Sequence, residues 1–145
     1  MSEVIVLVGL PGSGKSTWAE AQGITILSSD SVRALIADDV TNQQIHTQVF
    51  ATMRYLLRRR LEVGAASTIV DATNLLPVHR KPWIKIAREK GAKARAVYIA
   101  TPLEECLRRN AARDRIVPAE AIQAMATKLR PPTLAEGFDL VQVVA

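Results

Sequence analysis

The nine residues from Gly9 to Thr17 have the composition and spacing of a loop that binds phosphate. They read Gly-Leu-Pro-Gly-Ser-Gly-Lys-Ser-Thr, follow the apolar run Val4–Val8 and precede a helical pattern. This is the pattern G-x-x-x-x-G-K-[ST] of a P-loop, in which backbone N–H groups surround phosphate oxygens. Lys15 is expected to reach the β- and γ-phosphates of a nucleotide, and Ser16 to ligate Mg²⁺. The alternative is a glycine-rich turn without a ligand, which the flanking strand and helix disfavour.

Acidic residues follow two of the other predicted strands. Asp30 lies three residues before Arg33, so the two side chains share a face in the first turn of a helix. Asp30 could accept the proton of an alcohol that attacks a γ-phosphate, while Arg33 could hold an acceptor phosphate or the carboxylate itself. Asp71 could support Mg²⁺ through water and Ser16. The alternatives are a helix N-cap for Asp30 and a turn-forming role for Asp71.

A third group of charged residues lies near residue 110. Arg109 and Arg113 are four residues apart, which predicts one shared helix face, and Arg115 follows in a connector. Arginines that close over a transferring phosphoryl group stabilise its negative charge. Residues 109–127 are therefore predicted to form a helical lid, with a solvated basic turn as the alternative.

The hydrophobic pattern that positions these residues alternates between strands and helices, which favours an α/β fold with a parallel sheet. Strands are expected at residues 4–8, 24–27, 68–70, 94–100 and 138–144. Helices are expected at residues 15–22, 31–37, 42–62, 77–90, 102–112 and 118–129. We expect one three-layer domain over residues 1–145, with the polar groups gathered at the carboxyl ends of five strands.

The charge distribution is uneven along the chain. Residues 79–115 contain 11 Lys and Arg against 4 Asp and Glu, a net charge of +7, whereas the whole chain carries +5. Such a segment suits a polyanion such as ATP or nucleic acid, although it could also be a solvated surface. Aromatic residues that could stack on bases are few. They are Trp18, Phe50, Tyr55, Trp83, Tyr98 and Phe138.

Other sequence features restrict the compartment. The single cysteine, Cys106, excludes an internal disulfide and lies in an apolar helical pattern. No apolar run approaches the roughly 20 residues that span a bilayer, and the N-terminal apolar run leads directly into the P-loop. A cytoplasmic protein without a membrane segment is expected.

Together these motifs resemble the 5′-hydroxyl kinase domain of polynucleotide kinases, of which the bacteriophage enzyme is the familiar example. The resemblance covers nearly the whole chain. It rests on residues 9–19, Asp30-x-x-Arg33, Asp71-Ala72-Thr73-Asn74-Leu75, Arg109-Asn110-x-x-Arg113 with Val117-Pro118, and Glu136-Gly137-Phe138-Asp139.

The resemblance implies roles for individual residues. Asp30 matches the general base, Arg33 the arginine on the acceptor-side phosphate, and Arg113 the lid arginine on the transferring phosphate. Lys15 and Ser16 match the ATP and Mg²⁺ residues, and Asp71 is a candidate metal residue. Nucleotide-binding candidates are Gly9, Pro11, Gly12, Ser13, Gly14, Lys15, Ser16, Thr17, Arg109 and Arg113, and the catalytic candidates are Lys15, Asp30, Arg33 and Arg113.

The expected function is transfer of the ATP γ-phosphate to a 5′-hydroxyl of DNA or RNA. Two alternatives use the same nucleotide site. One is a kinase of a small hydroxyl compound such as a nucleoside, sugar or antibiotic, and the other is a non-catalytic ATP-binding module.

Overall fold

The five strands lie side by side in one parallel sheet. The computed structural model describes residues 1–145, and every neighbouring pair of strands runs in the same direction. The order across the sheet is β2-β3-β1-β4-β5, which confirms the predicted five-stranded parallel sheet. The strands are β1 (Glu3–Val8), β2 (Ile26–Ser28), β3 (Ser67–Asp71), β4 (Lys93–Ile99) and β5 (Leu140–Val144).

Helices cover both faces of this sheet because successive side chains of a strand point to opposite faces. The helices are α1 (Lys15–Ala21), α2 (Ser29–Ala37), α3 (His46–Glu62), α4 (Pro77–Glu89), α5 (Leu103–Ala111) and α6 (Ala119–Lys128). On β1, Val4 and Val6 pack into a cluster with α3 and α4, whereas Ile5 and Leu7 pack with α1. The three-layer prediction is therefore confirmed. None of them combines the length and the apolar character needed to cross a membrane.

Helix α3 begins at His46, later than the predicted start at residue 42. Side chains in the preceding segment bond to the backbone instead of leaving it to a helix. The Asp39 carboxylate accepts from the Thr41 N–H at 2.9 Å, and the Asn42 side chain accepts from the Gln44 N–H at 2.9 Å. Such local bonds compete with helix formation.

Helix α5 ends at Ala111, so the prediction that Arg109 and Arg113 share a helix face is wrong. The N–H groups of Ala112 and Arg113 bond to carbonyls three residues earlier, which tightens the last turn and ends the helix. The Asn110 amide then bonds the N–H of Val117 at 3.0 Å and its carbonyl at 2.6 Å. Arg113 consequently lies in a closed connector between α5 and α6.

A buried ion pair joins α4 to the C-terminal segment. The Arg80 side chain is fully buried and binds both carboxylate oxygens of Glu136, at 2.8 and 3.0 Å. Arg80 also donates to the carbonyls of Asn74 at 3.0 Å and Arg130 at 2.8 Å. One guanidinium thus fixes the loop after β3 against the loop after α6, behind the edge of the sheet where the polar residues collect.

Replacing Glu136 by alanine should lower the free energy of unfolding by about 3–5 kcal/mol, because Arg80 would stay buried without its counter-ion. Urea denaturation followed by circular dichroism measures this loss. The matched control is Glu62→Ala, which removes a carboxylate that pairs with Arg59 and Lys90 at the surface. That change should cost about 1 kcal/mol or less. Equal losses in the two variants would contradict the central role of the buried pair.

Candidate active site

One groove of about 1300 Å³ runs along the carboxyl edge of the sheet. The parallel topology brings the loops after β1, β2, β3 and β4 to this edge. The groove contacts most of the residues singled out from the sequence, although they come from distant parts of the chain. These are Pro11, Gly12, Ser13, Gly14, Lys15, Ser16, Thr17, Asp30, Arg33, Asp71, Arg109 and Arg113.

The P-loop holds its shape through glycine conformations and a close contact with α5. Gly12 has φ +80 and Gly14 has φ +97, in the left-handed region that side chains rarely adopt. A Cβ atom on Gly12 would lie 2.5 Å from the Cys106 carbonyl oxygen of α5. The Ser13 carbonyl accepts from the Thr101 hydroxyl at 2.7 Å and from the Arg109 guanidinium at 3.1 Å.

This loop leaves donors for an anion. Helix α1 has neither a side-chain N-cap nor an acidic residue in its first turn, so its first N–H groups have no side-chain partner. The Ser13 hydroxyl is buried and has no hydrogen-bond partner. A phosphate group would satisfy such N–H donors, and the dipole of the helix favours its charge. The loop therefore fits the phosphates of a nucleotide.

Lys15 lies folded against the loop, with its ammonium donating to the Leu10 carbonyl at 3.0 Å. Burial lowers the pKa of Lys15, and the positive charge of Arg113 adds to this effect. The negative charges of Asp71 and Asp30 act in the opposite direction and favour the ammonium. The Lys15 amine is thus close enough to Asp71, Asp30 and Arg113 to feel the charge of each.

Ser16 and Asp71 form a pair of oxygen donors beside Lys15. The Ser16 hydroxyl donates to the Asp71 carboxylate at 3.1 Å, and Asp71 is the last residue of β3. Burial raises the pKa of Asp71, whereas Lys15 and the Ser16 hydrogen bond act to lower it. Mg²⁺ prefers oxygen ligands and usually keeps several waters and substrate phosphates, so two protein oxygens suit it. Asp71 is positioned by the strand, not by a turn of its own.

Asp30 lies inside the first turn of α2 and does not cap it. The N-cap is Ser28, whose hydroxyl accepts from the Ser31 N–H at 3.3 Å. The Asp30 carboxylate is about half exposed and lies between two guanidinium groups. Arg33 Nη1 is 3.8 Å from it, and Arg115 Nη1 of the connector is 3.2 Å from it. The predicted proximity of Asp30 and Arg33 is confirmed.

Arg33 is buried, whereas most arginines in proteins are exposed. It is 4% exposed, and its Nη2 lies 3.5 Å from Nδ1 of His46. Its Nε has no hydrogen-bond partner. The position of this guanidinium is therefore fixed by packing between α2 and α3.

The two candidate arginines near residue 110 differ in their partners. Arg109 donates through Nε to Glu105 at 2.9 Å and through Nη1 to the P-loop, whereas Arg113 lies in the connector and lines the groove. Hydrogen bonds from Arg108 and Arg109 lower the pKa of Glu105 to about 2.

Asn74, also singled out from the sequence, donates to the Leu7 carbonyl at 2.8 Å and accepts from Trp83 at 3.1 Å.

Sequence reasoning did not single out His46 and Glu105, which line the groove, and it named Phe50 only among the aromatic residues that could stack on bases. Glu105 lies four residues before Arg109, a helical spacing at which opposite charges pair, so it could have been found. His46 and Phe50 reach the groove because α3 packs against α2, and no short motif signals that contact.

A family model described as an AAA domain (AAA_33) matches residues 4–132. The chain belongs to this family. One curated relative is the L-seryl-tRNA(Sec) kinase of Methanococcus maripaludis. This chain is 28% identical to it over 147 residues, which cover 97% of this chain and 57% of that protein. It is 28% identical over 149 residues to the bifunctional polynucleotide phosphatase/kinase of Schizosaccharomyces pombe, covering 98% of this chain and 33% of that protein.

Both relatives are named as kinases, and the second confirms the resemblance to polynucleotide kinases. The chain spans about half and one third of the lengths of these two relatives. A chain in the structure of the Pnkp1/Rnl/Hen1 RNA repair complex shares the fold, with a TM-score of 0.76 and 22% identity over 88% of this chain and 44% of that one.

Replacing Gly12 by alanine should abolish nucleotide binding by this AAA_33 domain, since the new Cβ would collide with the Cys106 carbonyl. The left-handed strain and the overpacking together cost about 2–5 kcal/mol. The control is Gly23→Ala, where φ is +65 but nothing lies within 4 Å of the new Cβ. Titration with a fluorescent ATP analogue should give an unchanged Kd for the control. Wild-type affinity in the Gly12 variant would show that the contact with α5 does not shape the loop.

Proposed function

We propose that this chain is an ATP-dependent kinase that phosphorylates the 5′-hydroxyl end of DNA or RNA. The observation that carries the proposal is the shared groove, in which a phosphate-binding loop faces a half-exposed carboxylate flanked by arginines. A carboxylate beside a site for the γ-phosphate is what a phosphotransferase to an alcohol requires.

On the donor side, the P-loop and Lys15 hold the phosphates of ATP. Because β1 is the central strand, phosphates held by the P-loop would lie in the middle of the sheet edge, with Asp30 after β2 on one side and Val144 of β5 on the other. The nucleoside part of ATP then lies toward β5 and the acceptor toward β2. Ser16 and Asp71 would hold Mg²⁺, which when bound neutralises charge on the β- and γ-phosphate oxygens.

On the acceptor side, Asp30 receives the proton of the attacking hydroxyl. Arg33 is fixed by burial and can hold an acceptor-side phosphate or orient the carboxylate. Arg113 lines the same groove from the connector between α5 and α6, which can act as a lid and bring this arginine onto the charge of the transferring phosphoryl group.

A polynucleotide acceptor is supported by the positive charge of residues 79–115 and by the names of the two curated relatives. The segment 79–115 carries a net charge of +7 and supplies Arg109 and Arg113 to the groove. The names of both curated relatives include a nucleic acid as the acceptor or its carrier, namely a polynucleotide and a seryl-tRNA. The name of the Methanococcus maripaludis relative favours one alternative acceptor, the hydroxyl of a serine attached to tRNA.

Transfer of labelled γ-phosphate from ATP tests the acceptor class. We expect transfer to DNA or RNA oligonucleotides with a free 5′-hydroxyl and none to the same oligonucleotides already phosphorylated at that end. The apparent affinity for the acceptor should fall steeply as salt increases, because bound phosphates release counter-ions. Free nucleosides, sugars and seryl-tRNA complete the panel. Exclusive transfer to one of those compounds would overturn the polynucleotide assignment.

Replacing Asp30 by asparagine should reduce kcat about 100- to 10,000-fold, the range expected on loss of a general base. The KM for ATP should stay within about twofold, since the P-loop is unchanged. Steady-state kinetics of the Asp38→Asn variant serve as the control, because Asp38 is an exposed carboxylate at the other end of α2. Full turnover in the Asp30 variant would remove this residue from the proton transfer.

A further inference from the structure

We propose that His46 and Phe50 form a stacking subsite for the base of the 5′-terminal nucleotide of the acceptor. The inference rests on the kinase function proposed above and narrows its substrate class to hydroxyls that carry a neighbouring aromatic base. It names two residues for which neither the sequence motifs nor the P-loop chemistry provides a role.

The two rings form a supported pair. Their centroids are 4.5 Å apart with an angle of 41° between the planes. Phe50 is half-buried and lies 6.4 Å from the buried Trp83, so its ring is held by the core. His46 is exposed and lines the groove. Phe50 thus supports the imidazole from the core while His46 stays accessible to a ligand.

The spacing between Asp30, the candidate general base, and the His46 ring suits the 5′ end of a polynucleotide. Arg33 lies between the two groups, with Nη1 3.8 Å from the Asp30 carboxylate and Nη2 3.5 Å from Nδ1 of His46. One guanidinium therefore separates the carboxylate from the imidazole. In a polynucleotide, one sugar separates the 5′-oxygen from its base. A 5′-hydroxyl placed at Asp30 brings its base toward His46, whereas a serine or a simple sugar has no ring to place there.

The groove offers no equivalent platform on this side. Of the six Trp, Tyr and Phe residues, Trp18 and Phe50 line the groove. Trp18 belongs to α1 and packs in the cluster on one face of the sheet, whereas Phe50 of α3 packs against the cluster on the other face. Stacking of one base on an aromatic side chain is sequence-tolerant, since every base has a π-face. The subsite would therefore accept any terminal base.

The test compares two acceptors that both carry a free 5′-hydroxyl, one with an ordinary terminal nucleotide and one whose terminal nucleotide lacks its base. Wild-type protein should lose about tenfold in kcat/KM on the abasic acceptor, within the range for loss of one stacked base. The His46→Ala variant should lose about the same factor in kcat/KM on the ordinary acceptor. On the abasic acceptor its kcat/KM should equal that of the wild type, and its KM for ATP should be unchanged.

Two further variants separate stacking from the contact with Arg33. His46→Phe keeps a ring and should retain wild-type discrimination between the acceptors. His46→Asn keeps a polar partner for Arg33 but no ring, so it should lose that discrimination. Thr47→Ala is the control, because Thr47 is exposed on the same helix turn and does not line the groove.

The outcomes are distinguishable from those of the parent proposal. Phosphorylation of both acceptors at equal rates by wild-type protein would overturn the stacking subsite and leave the kinase proposal standing. Wild-type discrimination that survives in His46→Ala would also overturn it. Absence of transfer to any 5′-hydroxyl end would overturn the proposed acceptor class and this inference with it.

Discussion

The direct packing of α5 on the backbone of the phosphate-binding loop is the contact on which the rest of the site depends. At Gly12 the space for a side chain is taken by the Cys106 carbonyl, and the Ser13 carbonyl accepts hydrogen bonds from Thr101 in the loop after β4 and from Arg109 of α5. The loop is therefore held from outside, and its inward N–H groups need no ligand to organise them. Preorganisation of this kind reduces the cost of ordering when a phosphate binds.

The part of the groove beside Asp30 is organised differently, around a buried charge. Arg33 has 4% of its surface exposed and is surrounded by Asp30 on α2 and His46 on α3. A buried guanidinium without good partners is costly, so the α2–α3 packing and the nearby carboxylate must form together. This coupling gives Asp30 a fixed place on the groove although its own side chain is half exposed.

The sequence predicted the fold and the centre of the site because both follow from short-range patterns. Apolar runs and glycine stops predicted all five strands, and parallel topology then required Lys15, Asp30 and Asp71 to share one edge. The start of α3 was misplaced and Arg113 was wrongly given a place on the helix face of Arg109, since Asn42 and Asn110 bond to the backbone in ways that periodicity does not report. His46 and the buried pair of Arg80 and Glu136 depend on contacts between distant segments, which single-residue spacing cannot reveal.

The Asn110 amide has a mechanical consequence for the connector between α5 and α6. It hydrogen-bonds to both the N–H and the carbonyl of Val117, so residues 111–116 form a closed loop. Arg113 and Arg115 lie within that loop, and their backbone has less conformational freedom than it would have in an open loop. One end of the loop belongs to α5, which the P-loop contact holds in place. A backbone movement that lifts the connector off the groove must therefore break the two hydrogen bonds of Asn110 or move α5 as well.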